Sequence, residues 1–399
     1  MAMKMKKWKK VVLIIMAVLV LLTAAVAYFL PVGLIIHTLG VVSKGEDMTE
    51  VCLDDTIHFV QKGNYIVFQA EVNGEPDTVI YDSGVNFMFL MMYTPSTSPE
   101  GMKFYRNRVT GADKRSSIKM TTMPVKIGRK FGEYNVENGG FGLGILNPEP
   151  PLCTDFFVSK YDLIGFQGFD FGPYMIDFTN SEICSVPYPL PIDTTEFVPV
   201  KCKIKRGVLW VYPRVNGEEY ECIFDTGNGN AGFLLKDEKR VEKPSGNDYV
   251  YEGSYGTSIG GHVSNQRYVC APKEAFSIEG SVKETDVKYV KKLPFNNMGL
   301  KAISQYDWVI SIYGGTPKVY VRPHASDETP VFDFFRYKLL AFDGKLTISA
   351  RLIDGNEKFN VGDQIVSVNG EEITEENICH YYDLLTENKD WSGFEIRVK

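Results

Sequence analysis

Asn73-Gly74-Glu75-Pro76-Asp77-Thr78-Val79-Ile80-Tyr81-Asp82-Ser83-Gly84 and Asn216-Gly217-Glu218-Glu219-Tyr220-Glu221-Cys222-Ile223-Phe224-Asp225-Thr226-Gly227 carry one pattern twice, 143 residues apart. Each opens on an Asn-Gly pair, the strongest short signal for a tight hairpin turn. Each then runs through an apolar stretch to an Asp, nine residues after the Asn, and closes on a small hydroxyl residue and a glycine. The approach to each turn is also shared. Tyr65-Ile66-Val67-Phe68 precedes the first and Leu209-Trp210-Val211-Tyr212 the second, both reading as strands. A spacing of about one domain length marks an internal duplication.

The chemistry offered by two such Asp residues depends on their meeting. Two carboxyls close enough to share a proton cannot both ionise, so one is held acidic and the other protonated. The ionised member can take a proton from water while the protonated member polarises a carbonyl. A glycine after each Asp lets two loop backbones approach without a Cβ between them. The intervening Ser83 and Thr226 can bond across to the opposite loop and hold the carboxylates coplanar. The candidate site is therefore Asp82 and Asp225, supported by Ser83, Gly84, Thr226 and Gly227.

Outward from these triplets, the chain has 399 residues with 44% hydrophobic and 13% aromatic content, which suits sheets better than helical bundles. Short β-type runs broken by Gly, Asn, Pro and Asp continue throughout. Hairpins are expected from Val109-Thr110-Gly111-Ala112 into Ile118–Met123, and from Glu252 through Gly256 to His262. The best helix candidate is Glu375–Glu387, and proline density near Pro187–Pro191 predicts a break between the halves.

The N-terminus reads as a targeting segment. Lys4, Lys6, Lys7, Lys9 and Lys10 precede an apolar run from Val11 to Leu30, long enough to span a bilayer as a helix. Lysines ahead of the span keep that end cytoplasmic and export the rest. A cleaved signal peptide, with Ala25-Val26-Ala27 as the peptidase site, is the competing reading. Removing those five lysines from 43 basic residues leaves 38 against 50 acidic, a body of net charge −12 that argues against nucleic-acid binding.

Other chemistries lack their motifs. The five histidines (His37, His58, His262, His324, His380) show no metal-ligand spacing, and no nucleophile elbow, P-loop or dinucleotide fingerprint occurs. Seven cysteines are scattered without a CxxC, and their pairing is open at this level. Cys222, inside the second apolar run, reads as a small buried hydrophobe.

The triplets, with Leu163-Ile164-Gly165 between them, resemble the pepsin/retropepsin superfamily of aspartic proteases, and more closely its exported bacterial retropepsin-like members that carry a C-terminal PDZ domain. The apolar-apolar-Gly step matches the strand that braces the catalytic loop in that family; its second-half counterpart, Met298-Gly299-Leu300, has one apolar residue ahead of the glycine. Val85 and Asn228 follow the two catalytic glycines, where the family more often has Ala, Ser or Thr. Val361-Gly362-Asp363-Gln364-Ile365 and Val368-Asn369-Gly370 resemble a PDZ domain, with Arg336 where a carboxylate-binding glycine is usual.

The resemblance implies a mainly β, bilobal fold with a flap over the cleft: a cytoplasmic lysine cluster and anchor over 1–42, lobes over 43–190 and 191–325, and a PDZ-like domain over 326–399. It implies a membrane-anchored, extracytoplasmic aspartic endopeptidase, a monomeric catalytic unit acting on polypeptides with no cofactor or metal. The alternative is a catalytically silent peptide-binding or scaffolding protein of the cell envelope that uses the same cleft and PDZ-like groove.

Overall fold

The computed structural model describes residues 48–62, 65–110, 115–131, 134–146, 153, 161–169, 172–187, 190, 195–258, 261–262, 265–312, 316–324 and 332–399. The lysine cluster, the apolar run and its peptidase-like site lie outside the described residues. Among the described residues no helix is long and apolar enough to cross a membrane.

The protein is mainly β, built around two large sheets. The duplicated sequence forms a duplicated structure. In the first half the strand Glu75–Asp82 pairs antiparallel with Tyr65–Val72 through the Asn73-Gly74 turn, and parallel with Asp162–Gly165, setting Ile80 beside Leu163 and Asp82 beside Gly165. In the second half Cys222–Asp225 pairs parallel with Asn296–Gly299, setting Ile223 beside Asn297 and Asp225 beside Gly299. Each brace strand is flanked on its other side by an antiparallel neighbour, Phe89–Tyr93 in one half and Phe233–Lys236 in the other. Asn73 and Asn216 both adopt positive φ, the left-handed geometry that an Asn-Gly hairpin turn requires.

The expected first hairpin is present as Tyr105–Thr110 against Arg115–Phe131, and the second strand continues into a long return, Tyr134–Leu146. In the second half Tyr249–Gly253 pairs with Gln266–Ile278, which returns as Ser281–Val290.

The two halves are not separate bodies. Tyr174–Asp177 from the first pairs with Tyr306–Ser311 from the second, and Val198–Val200 joins the same sheet beside Lys318–Pro323. One apolar core runs through both, including Tyr81, Phe169 and Ile176 on one side and Phe224, Trp308 and Ile310 on the other. Buried Asp307 reinforces the join: it accepts the backbone N–H of Phe178 at 2.8 Å and Arg322 Nε at 2.9 Å.

The C-terminal segment has its own apolar cluster, with Tyr337, Leu346, Ile365, Leu385 and Trp391 at its centre. Its sheet is nevertheless continuous with the second half, because Lys345–Leu352 pairs antiparallel with Tyr249–Gly253. The helix expected over Glu375–Glu387 begins later, at Ile378, and ends at Glu387. Asn377 accounts for the shift: its side chain accepts the Thr374 N–H at 2.8 Å and folds the preceding residues into a turn. A disulfide joins Cys379 on this helix to Cys153 of the first half. Cys222 is fully buried, as its apolar surroundings suggested.

Candidate active site

The two Asp-hydroxyl-Gly loops meet where the halves join. Ser83 and Thr226 are both fully buried and bond reciprocally. The Thr226 hydroxyl accepts the Ser83 N–H at 2.9 Å and donates to the Tyr81 carbonyl at 2.8 Å. The Ser83 hydroxyl accepts the Thr226 N–H at 3.0 Å and donates to the Phe224 carbonyl at 2.8 Å. Every bond crosses between halves. The four together fix the carbonyl and amide on either side of each Asp, so neither carboxylate can move without breaking a buried bond.

Asp82 and Asp225 end their strands half-buried and within hydrogen-bonding reach of each other. A Cβ at Gly84 would collide with the Asp225 carboxylate, and one at Gly227 with that of Asp82, so each glycine is what admits the opposite Asp. The Gly84 N–H donates to Asp82 Oδ1 at 2.9 Å and the Gly227 N–H to Asp225 Oδ1 at 3.1 Å. The braces match as well: the N–H groups of Phe166 and Leu300 bond the carbonyls of Val85 and Asn228, the residues that follow each triplet. The Val85 side chain packs against Gly165.

Burial pushes Asp82 up to about 6 against the opposing pull of the Gly84 N–H and the bond to Asp225. Burial, followed by the charge of Asp82, raises Asp225 well above the carboxylate range, with the N–H groups of Gly227 and Asn228 opposing. The two carboxyls titrate as one pair holding a shared proton.

Two neighbours escaped the sequence reading. Tyr65 faces the pair from the start of its strand; burial, then the potential of Asp82 and Asp225, lifts its phenol to about 12, so it stands there as a neutral group. Asn297, on the second brace strand, donates its amide to Asp225 Oδ2 at 2.6 Å. A signal for Asn297 was present: it stands two residues ahead of Gly299, as Leu163 stands ahead of Gly165, and is polar where the repeat is apolar.

Among the described residues no group of three His, Cys, Asp or Glu side chains is arranged to hold a metal ion. Arg336, at the edge of the C-terminal segment, is paired with Asp354 at 2.9 Å.

No protein-family model matches the chain, and no curated protein is significantly similar to it in sequence.

Proposed function

We propose that this chain is an aspartic endopeptidase, built as a bilobal pepsin/retropepsin-like pair of β-lobes followed by a PDZ-like domain. The observation that carries the reading is the reciprocal bonding of Ser83 and Thr226, which brings two carboxyls from the two halves within reach of one proton. A turn motif kept only for its shape has no need of a buried four-bond lock between loops, nor of two glycines that each make room for the other loop's Asp.

With the pair singly protonated, a water held between the carboxyls attacks the peptide carbonyl carbon. The ionised carboxylate takes a proton from that water. The protonated carboxyl gives its proton to the carbonyl oxygen, and a neutral gem-diol forms. The pair then returns a proton to the amide nitrogen and takes one from a diol hydroxyl, the C–N bond breaks, and the starting protonation state is restored. Water is activated by the carboxyls themselves, so the chemistry asks for no cofactor. Substrates are polypeptides lying extended across the join, where Tyr65 faces the pair.

The lysine cluster and apolar run support tethering to a membrane with the bulk of the chain exported. The separate apolar cluster of the C-terminal segment, and the packing of helix Ile378–Glu387 beside strand Tyr337–Phe342, support the PDZ-like assignment.

The deciding test is cleavage of an unfolded protein by the detergent-solubilised full chain between pH 3 and 7, beside Asp82→Asn and Asp225→Asn. Cleavage abolished in both variants establishes the pair. A folded wild-type chain inert throughout, yet retaining peptides, makes it the catalytically silent binding protein instead.

A further inference from the structure

The two halves repeat the catalytic loop, the hydroxyl lock and the parallel brace strand, but the two carboxylates are not supplied with donors equally. Asp82 receives the Gly84 N–H. Asp225 receives the Gly227 N–H and the side-chain amide of Asn297, the latter at 2.6 Å. The imbalance comes from residues at equivalent places. Leu163, beside Ile80, offers no polar atom to Asp82, whereas Asn297, beside Ile223, reaches Asp225.

Asn297 is buried, at 7% exposure, and its Oδ1 has no hydrogen-bond partner among the described residues. Its bond to Asp225 is thus the polar contact that offsets burial of the amide. An amide N–H at 2.6 Å favours negative charge on the carboxylate that accepts it.

We infer that Asn297 is the positioning residue that eases ionisation of Asp225 against the burial and the Asp82 charge that oppose it. The inference rests on the two-carboxylate reading above. Both carboxyls sit half-buried at the ends of equivalent strands. The donors are what differ, and donors to a carboxylate favour its charged form.

The other ionisable groups around Asp225 supply no comparable donor. Asp82 faces it from strand Glu75–Asp82 and Tyr65 from strand Tyr65–Val72, where the phenol is neutral. Behind Asp82, the Tyr81 hydroxyl is bonded to that of Tyr174 at 2.8 Å. On the helical turn Leu300–Ile303, Lys301 is paired with buried Asp286 at 3.6 Å. Lys236, on the flanking strand Phe233–Lys236, is exposed.

Asn297→Leu tests the inference, since leucine is close to asparagine in shape and already stands at the equivalent position of the first half. In the detergent-solubilised full chain, loss of the donor makes Asp225 harder to ionise. The limb of the kcat/KM profile that Asp225 sets is expected to move up by about 0.5–1 pH unit. A profile with both limbs in place in a folded variant overturns the inference. A second measurement needs no catalysis: thermal unfolding of wild type and variant from pH 3 to 9. The amide stabilises the charged form, so the wild-type advantage in Tm is expected to grow as pH rises through the ionisation of the pair. A Tm difference that is flat across this range overturns the inference even if the chain cleaves nothing. Absence of any cleavage by wild type, with the growing Tm difference intact, overturns the endopeptidase reading and leaves the role of Asn297 standing.

Discussion

Ser83 Oγ and Thr226 N are 3.0 Å apart, and Thr226 Oγ1 and Ser83 N are 2.9 Å apart, so each residue is donor and acceptor to the other across the join between the halves. Removing either hydroxyl leaves a buried N–H and a buried carbonyl without their partner. Ser83→Ala and Thr226→Ala are each expected to cost about 1–3 kcal/mol of stability. The double variant is expected to cost less than the sum, with a coupling of roughly 0.5–3 kcal/mol. Denaturant unfolding of the two single variants and the double variant measures this, and strict additivity contradicts the lock.

The raised ionisation of Asp82 carries a stability signature of definite sign. Its folded value of about 6 lies above the unfolded value of about 3.9. Between those limits the folded chain binds more protons than the unfolded one, so this group's contribution to stability falls as pH rises. Asp82→Asn abolishes that loss. The variant is expected to be more stable than wild type at pH 7, on the order of 1–3 kcal/mol, and nearly level with it at pH 4. Its kcat/KM is expected to drop by roughly 10²–10⁴-fold or more. Melting temperatures across pH and a single cleavage assay read both effects.

Arg351 ties the C-terminal segment to the second half. Its Nε donates to Glu252 Oε1 at 2.6 Å across the paired strands, and its Nη1 donates to the Phe359 carbonyl at 2.8 Å. Arg351→Ala is expected to cost about 1–2 kcal/mol after solvent screening. Amide exchange should quicken in Tyr249–Gly253 and Lys345–Leu352 while staying unchanged around Asp82 and Asp225. Uniform quickening would mean that the segment is integral to the whole fold and not docked upon it.

The Cys153–Cys379 bond closes a span of 226 residues. Cys153→Ser is expected to lower stability by about 2–4 kcal/mol, with protease susceptibility appearing first near helix Ile378–Glu387. A reductant should reproduce the effect in wild type and add nothing in the variant.

What the sequence made legible was whatever the chain encodes locally and twice. The Asn-Gly turns, the apolar approach and the Asp-hydroxyl-Gly triplets are contiguous, and their duplication implied the meeting of Asp82 with Asp225 and the crossing bonds of Ser83 and Thr226. Long-range pairings were not legible. Nothing around Arg351 or Glu252 announces that their strands are neighbours, because strand pairing is decided by which edges remain open after each half has folded. The partner of Cys153 was equally hidden among seven cysteines. Asn297 fell between these cases: it breaks the repeat visibly, but a reading that sought apolar residues at the brace passed over the polar one that touches the site.

The pairing of Tyr174–Asp177 with Tyr306–Ser311 bears on how the chain comes to be made. During synthesis the first half emerges with that edge bare, and the strand that covers it is more than a hundred residues away. Until it arrives, the nascent protein offers an open, apolar template to any other extended chain nearby. Completion of the first half is therefore a matter of waiting, and a ribosome halted between the halves would leave a sticky fragment in place of a finished small domain.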